Sequence, residues 1–374
     1  MKKNSPEQYT PKKKGGLLGR IIRRFFLLLF TTIVLILAAL ILAANLIFNG
    51  PSPAARSILT MTLLEPSATK WIPALFIGED GVAEVRAQVS AGPEEELTNT
   101  SQVVIQKNAA IDPNAVDEWA DYPDGIRIDT VEGDTFTAYI MIIKDPSRVY
   151  MGLSTYNGFS TAIPGKRLNV AMEDEGAAAG VNAGAFNDDG SISKTVGSAP
   201  LGLVMSKGSC AWSTGKQPDL EGFAGFNTDD ILVVSQKNLT KEQAAELNIR
   251  DGCCFGPALI INGETNMSAY NSASGWNPRT AVGQRSDGAV LFVCADGRQV
   301  GSMGATYADI IDIMVEYGAV NACNMDGGSS TIMMYRDTNG RYGEAGQVVT
   351  VNNYSLLQSE PRRMPNFWMV RPQE

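Results

Sequence analysis

A mixed α/β (α+β) domain outside a membrane, preceded by one N-terminal transmembrane helix, is the architecture the sequence predicts. Three observations predict it. There is one uncharged apolar run near the N-terminus, then from Gly125 onward short apolar runs between glycine-rich turns, and a strand–helix–strand pattern over residues 290–325. At 374 residues, 44% hydrophobic and 19% charged, the chain has apolar material for a sizeable core. Wholesale disorder and a small disulfide scaffold are both excluded.

The apolar run is Phe25–Phe48, and it contains no charged side chain. About 20 such residues cross a ~30 Å hydrocarbon layer, whereas the apolar part of a cleaved signal peptide spans only ~7–15. An uncleaved anchor over residues 25–48 is therefore expected. Residues 1–50 hold eight basic side chains (Lys2, Lys3, Lys12, Lys13, Lys14, Arg20, Arg23, Arg24) against Glu7 alone. All eight precede the run, so the positive-inside rule makes residues 1–24 a cytoplasmic tail and places the remainder outside the membrane. Residues 49–124 read as a stalk and lead-in with no assigned chemistry, in which Ser57–Leu64 and Asn114–Ala120 have helical character.

The net charge of -9 conceals an asymmetry. Beyond residue 50 there remain 23 basic and 39 acidic side chains, a balance of -16. Nucleic acid, bound mostly through Lys and Arg on phosphates, is an unsuitable partner for such a domain. The chain has no histidine at all. That removes Ser-His-Asp and Cys-His hydrolases, two-histidine zinc sites and facial-triad iron sites. The five cysteines, Cys210, Cys253, Cys254, Cys294 and Cys323, lack metal-ligand spacing, and a bridge from Cys210 to Cys253 or Cys254 stays open.

The elements follow in order. Ile126–Val131 and Phe136–Ile143 alternate as strands around a Glu132-Gly133-Asp134 turn. Leu168–Gly176 reads as a helix and Ala177–Asn182 as a short strand. Further strands are expected at Leu201–Ser206, Ile231–Ser235, Ala258–Asn262, Thr280–Gln284 and Val290–Ala295. Thr240 with Gln243 opens a short helix as a capping box. Thr306–Tyr317 is the best-defined helix, with Tyr307, Ile310, Ile311, Met314 and Val315 along one stripe, Thr306 before it and Gly318 after. Strand Ala319–Met325 follows. The sequence thus predicts a βαβ unit in a mixed sheet within a single domain over residues 125–374. Asp296 and Asp326, each just past its strand, are expected on one edge, where such sheets bind ligands.

Four glycine-rich segments carry polar groups. In Asn182-Ala-Gly-Ala-Phe-Asn187, two amides flank a tight bend, and the following Asp188-Asp189-Gly190 is either a turn or a source of oxygen ligands for Ca²⁺ or Mg²⁺. Asn277-Pro278-Arg279-Thr280 brings a permanently charged guanidinium suited to an oxyanion. Asp296-Gly297-Arg298 pairs a carboxylate with a cation. In Asp326-Gly327-Gly328-Ser329-Ser330, glycines and hydroxyls suit an anion-binding nest of backbone amides, or a hairpin tip joining Ala319–Met325 to Thr331–Tyr335. Glycoside hydrolysis ordinarily needs a carboxylic acid to protonate the departing oxygen and a second carboxylate at the sugar carbon. A phosphate leaving group needs little proton help, so arginine and amides suffice to stabilise it without histidine.

These segments, in this order, resemble the phosphodiester glycosidase domain family over roughly residues 125–374. The resemblance implies a mixed α/β domain that releases a sugar from a sugar-1-phosphodiester, in cell-envelope or exopolysaccharide metabolism. It implies Asp326 as leading carboxylate, with Arg279 as phosphate clamp and Asp296 completing the catalytic set. Asn182, Asn187, Thr280, Arg298, Gly327, Gly328, Ser329 and Ser330 would bind substrate. No cofactor follows from it beyond the Ca²⁺ or Mg²⁺ weighed at Asp188 and Asp189. A non-catalytic glycan-binding or assembly protein on the same fold is the alternative, as is a phosphoglycosyl transferase-like enzyme of capsule or teichoic-acid modification.

Overall fold

The computed structural model describes residues 17–64, 69–89, 97–100, 118–160, 162–187, 197–214, 221–272, 274–338, 340–353 and 360–373. Its helices are α1 (Leu17–Phe48), α2 (Pro53–Leu64), α3 (Ile72–Val89), α4 (Leu168–Glu175), α5 (Lys241–Glu246), α6 (Met267–Tyr270) and α7 (Tyr307–Glu316). The first sheet has seven strands, in the order Ile126–Glu132, Thr137–Ile143, Val290–Ala295, Arg279–Arg285, Ala319–Met325, Ala258–Ile261 and Glu264–Thr265. A second sheet runs Val348–Thr350, Met333–Arg336, Ala179–Asn182, Asn366–Val370, Val149–Leu153. The third runs Ser209–Ser213, Leu203–Ser206, Ile249–Cys254, Phe223–Asn227, Leu232–Ser235.

Side chains on the first sheet alternate between two cores. Ile140, Ile142, Leu291, Val293 and Ala281 join Ile310, Ile311 and Met314 of α7 in one core. Met141, Val290, Phe292, Val282 and Met325 face Val181 and Trp368 of the second sheet and Ala224 and Phe226 of the third. A sheet buried on both faces reads as unbroken apolar runs, a pattern commonest in parallel sheets. The ladders of this sheet are nevertheless antiparallel throughout the described pairs, which corrects the expected mixed sheet.

The expected crossover is present in altered form. Val290–Ala295 and Ala319–Met325, joined through α7, run in the same direction, but Arg279–Arg285 lies between them, antiparallel to both. Asp296 and Asp326 therefore leave one edge about 10 Å apart, two strand spacings, and the start of the intervening strand meets them there. α7 opens at the expected Thr306, and with a capping box: Thr306 Oγ1 accepts from Asp309 N at 3.2 Å, and Asp309 Oδ2 accepts from Thr306 N at 2.7 Å. Such a cap contributes about 1 kcal/mol.

The hairpin reading of residues 326–331 does not hold. Met333–Arg336 pairs with Ala179–Asn182 and Val348–Thr350 in the second sheet. The Gly328–Ser330 turn thus carries the chain from one sheet to another.

α1 is long and apolar enough to cross a membrane, and its large apolar side chains from Ile21 to Ile47 are exposed. α2 contains the expected Ser57–Leu64 helix, and α3 is a second helix within the expected stalk. Met61 and Leu64 of α2, with Val82 and Val85 of α3, join the core beneath α7. Asn114–Ala120 lies mostly outside the described residues, and Trp119–Tyr122 is a turn. All five cysteines are free thiols. Cys210 is exposed while Cys253 and Cys254 are buried, and burial pushes the Cys254 thiol up to about 11.

Candidate active site

The site is built where the Asp296 and Asp326 edge of the first sheet meets the end of Ala179–Asn182. Asn182 joins the two, and it is fully buried. Its Oδ1 accepts from Thr280 Oγ1 at 2.8 Å and from Ile332 N at 3.1 Å, and its Nδ2 donates to the Asp326 carbonyl. Asp326 N in turn donates to the Ala183 carbonyl at 3.0 Å. Both backbone groups of Asp326 are therefore gripped by residues 182–183, which aims its half-buried side chain.

The following turn requires its glycines. A Cβ on Gly327 would lie 2.7 Å from the Pro278 carbonyl oxygen. Gly328 has φ +60°, and a Cβ there would meet Arg298 Nη1 at 2.9 Å. The Gly328 amide donates to the Pro278 carbonyl, and the Ser330 and Thr331 amides close the turn on Gly327 and Gly328. Three of the amides expected to form a nest are thus already donating to backbone carbonyls.

Two guanidinium groups touch this turn. Arg298, half-buried and at φ +56°, lies against Gly328 and donates from Nη2 to Asn277 Oδ1 at 2.8 Å. Asn277 is itself fully buried, with its backbone paired to Ala305 in both directions. Arg362 donates from Nη1 to Ser329 Oγ at 3.2 Å, and its guanidinium stacks 4.7 Å over the ring of Phe186. Ser330 Oγ and Thr331 Oγ1, both buried, have no hydrogen-bond partner among the described residues.

Asp296 is only 2% exposed. Its Oδ2 accepts from Asn353 Nδ2 at 2.8 Å, and Oδ1 accepts from Asn352 Nδ2 at 3.4 Å. Burial outweighs these hydrogen bonds and pushes its carboxyl up to about 6. Asn352 also accepts from Met333 N at 2.7 Å, so it ties Asp296 to the strand that follows the Ser329–Thr331 turn.

Arg279 stands at the same edge but turns inward. It is 2% exposed, donates to the carbonyls of Ser274, Gly275 and Ala305, and stacks 4.3 Å over Tyr307. Those contacts hold the 274–275 loop. Of the other expected site residues, Thr280 is fully buried against Asn182, and Asn187 is half-buried with its amide on the Ala199 carbonyl. Asp188 and Asp189 lie outside the described residues. Among the described residues no group of three or more acidic or cysteine side chains is arranged to hold a metal ion.

Arg362, Asn352 and Asn353 were missed by the sequence reading. Arg362 sits in Pro361-Arg362-Arg363, where nothing in the sequence separates a site arginine from a solvated one. The two asparagines follow the Val348–Thr350 strand and reach Asp296 only because the second sheet packs against the first.

A half-exposed carboxylate, a buried one with a raised proton affinity and two arginines thus gather around one glycine turn, on an α+β fold. A family model described as phosphodiester glycosidase matches residues 175–371, more than half of the chain. The chain belongs to the phosphodiester glycosidase family. It is similar to the catalytic domain of zebrafish N-acetylglucosamine-1-phosphodiester alpha-N-acetylglucosaminidase, described as auto-inhibited by its pro-peptide. The TM-score is 0.50 at 19% identity, over 66% of this chain and 82% of that one, which is a likeness of fold. It is also 24% identical over 196 residues to the SPbeta prophage-derived uncharacterized protein YomE of Bacillus subtilis (strain 168). That match covers 50% of this chain and only 27% of the relative's length.

Proposed function

We propose that the chain is a membrane-anchored, extracytoplasmic phosphodiester glycosidase. It cleaves a sugar from a sugar-1-phosphodiester of the cell envelope or of an exopolysaccharide and leaves a phosphomonoester. The observation that carries this reading is the meeting of Asp326, Arg298 and Arg362 around the Gly327–Ser330 turn. Family membership supports it, and α1 with the basic residues before it supports the anchor and the outside location.

The residues divide the work as follows. Arg298, Arg362 and the Ser329 hydroxyl receive the phosphate, a role expected of Arg279 from sequence and better served by guanidinium groups that line the turn. Asp326 faces the sugar carbon, where positive charge develops as the carbon–oxygen bond breaks. The phosphate leaves with the bonding pair, water supplies the hydroxyl to the sugar, and its remaining proton passes to the departing phosphomonoester or to solvent, so no strong acid and no histidine are needed. Asp296 is too buried to meet substrate and acts through Asn352 and Asn353 as a positioning residue.

The test is phosphomonoester release by the full-length chain in detergent micelles, from a panel of sugar-1-phosphodiesters that includes N-acetylglucosamine-1-phosphodiesters. Wild type should turn over at least one member, and Asp326→Asn should lose about 10²–10³-fold with an unchanged melting temperature. Full turnover in Asp326→Asn would remove Asp326 from the mechanism. Glycan binding without release by wild type would instead assign the binding-protein reading.

A further inference from the structure

α1 ends at Phe48, whose ring is fully buried against Phe76 of α3, with centroids 4.9 Å apart and planes 13° from parallel. Asn49 Nδ2 also donates to the Phe76 carbonyl at 3.4 Å. Wherever α1 leaves an apolar layer, the turn that opens α3 must lie beside it.

That turn has an unusual surface. Trp71 is 61% exposed and Leu75 is 70% exposed, four residues apart and so on one side, and Lys70 next to them is exposed as well. Ala74 and Ile77 pack against the core, so the opposite side of the turn is already occupied by protein. Within α3 the first acidic residues are Glu79 and Asp80, past the break at Gly78, where φ is 70°.

We infer that Lys70, Trp71 and Leu75 form a foot that rests in the headgroup layer of the outer leaflet, next to the point where α1 emerges. The inference rests on the reading of α1 as an uncleaved anchor. An indole is at home at the headgroup level, a leucine seats among the upper acyl carbons, and an ammonium reaches lipid phosphates. The foot is also joined to the site. Trp276 N donates to Thr62 Oγ1 of α2 at 3.2 Å, in the loop that holds Arg279 and leads to Asn277, the support of Arg298. Through α2 and α3 the membrane contact sets the height of the site edge above the bilayer.

The experiment uses the full-length chain in phosphatidylcholine vesicles whose acyl chains carry bromine either near the headgroup or near the chain ends. α1 contains no tryptophan, Trp212, Trp276 and Trp368 lie in the domain and Trp119 packs against its core, so bromine quenching reads out Trp71. Shallow bromines should quench fluorescence more than deep ones, and Trp71→Phe should abolish most of that quenching. Quenching unchanged in Trp71→Phe, or absent in a wild-type chain that stays with the vesicles through an alkaline carbonate wash, overturns the foot alone. A chain that washes off overturns the anchor and the foot together.

Discussion

Two Asp-Gly turns leave the same edge of the seven-stranded sheet, two strands apart, and they dispose of their carboxylates in opposite ways. At Asp296 the side chain is the part that is gripped, by Asn352 and Asn353, while the chain runs on to bring Arg298 against the Gly328 turn. At Asp326 the backbone is gripped instead, by Asn182 and Ala183, and the side chain is turned outward to half-exposure. Both turns begin with Asp-Gly directly after a buried strand. What separates them is which neighbour supplies donors, and those neighbours belong to the second sheet.

The largest expected effect comes from loosening the grip on Asp326. Asn182→Ala leaves the Thr280 hydroxyl, the Ile332 amide and the Asp326 carbonyl without their buried partner. At about 1–3 kcal/mol for each unsatisfied group, with partial relaxation, denaturant unfolding should show a loss of about 3–5 kcal/mol. Asn182→Asp keeps the acceptor for Thr280 and Ile332, so it should be milder in stability yet still impair turnover. Equal stability for all three proteins would mean that Asn182 does not join the sheets.

Next come the arginines of the turn. Arg298→Ala and Arg362→Ala should each raise KM for a sugar phosphodiester about 10–100-fold while changing kcat less, because each removes a charge-assisted contact to the phosphate. Arg279→Ala should differ in kind, lowering the melting temperature by freeing the Ser274, Gly275 and Ala305 carbonyls. If Arg279→Ala raised KM at unchanged stability and the other two variants were silent, the phosphate would belong to Arg279.

The contrast also explains what the sequence could disclose. The α7 stripe is local, and the structure keeps it except that Val315 is exposed and Ile313 is buried in its stead; the bounds of Val290–Ala295 and Ala319–Met325 are local too, and the structure reproduces them residue for residue. The edge shared by Asp296 and Asp326 followed from chain direction alone, and it survives the insertion of Arg279–Arg285 between the two strands. Strands Phe223–Asn227 and Ile249–Cys254 were not legible because Gly225 and Gly252 interrupt them. The two glycines sit opposite each other beneath the Phe223 ring, where a Cβ would approach it to 2.7 and 2.6 Å. The inward turn of Arg279 was equally hidden, since it depends on Tyr307 and on carbonyls of a separate loop.

The smallest expected effect concerns Asp296, and it tests the buried half of the comparison. Its carboxyl is raised from an ordinary 3.8 to about 6 chiefly by burial, so the folded state holds a proton that the unfolded chain has already released across that interval. Stability should therefore decline as pH rises from about 4 to about 6 and stay lowered above it, with a ceiling of about 3 kcal/mol for a shift of this size. In Asp296→Asn the slope should vanish. The net gain at neutral pH should be about 1 kcal/mol, because an amide offers Asn352 and Asn353 one acceptor where the carboxylate offered two. Chemical denaturation of both proteins at several pH values between 4 and 8 measures the difference. Parallel curves would show that Asp296 is ionised throughout, and the pH profile of turnover would then owe nothing to it.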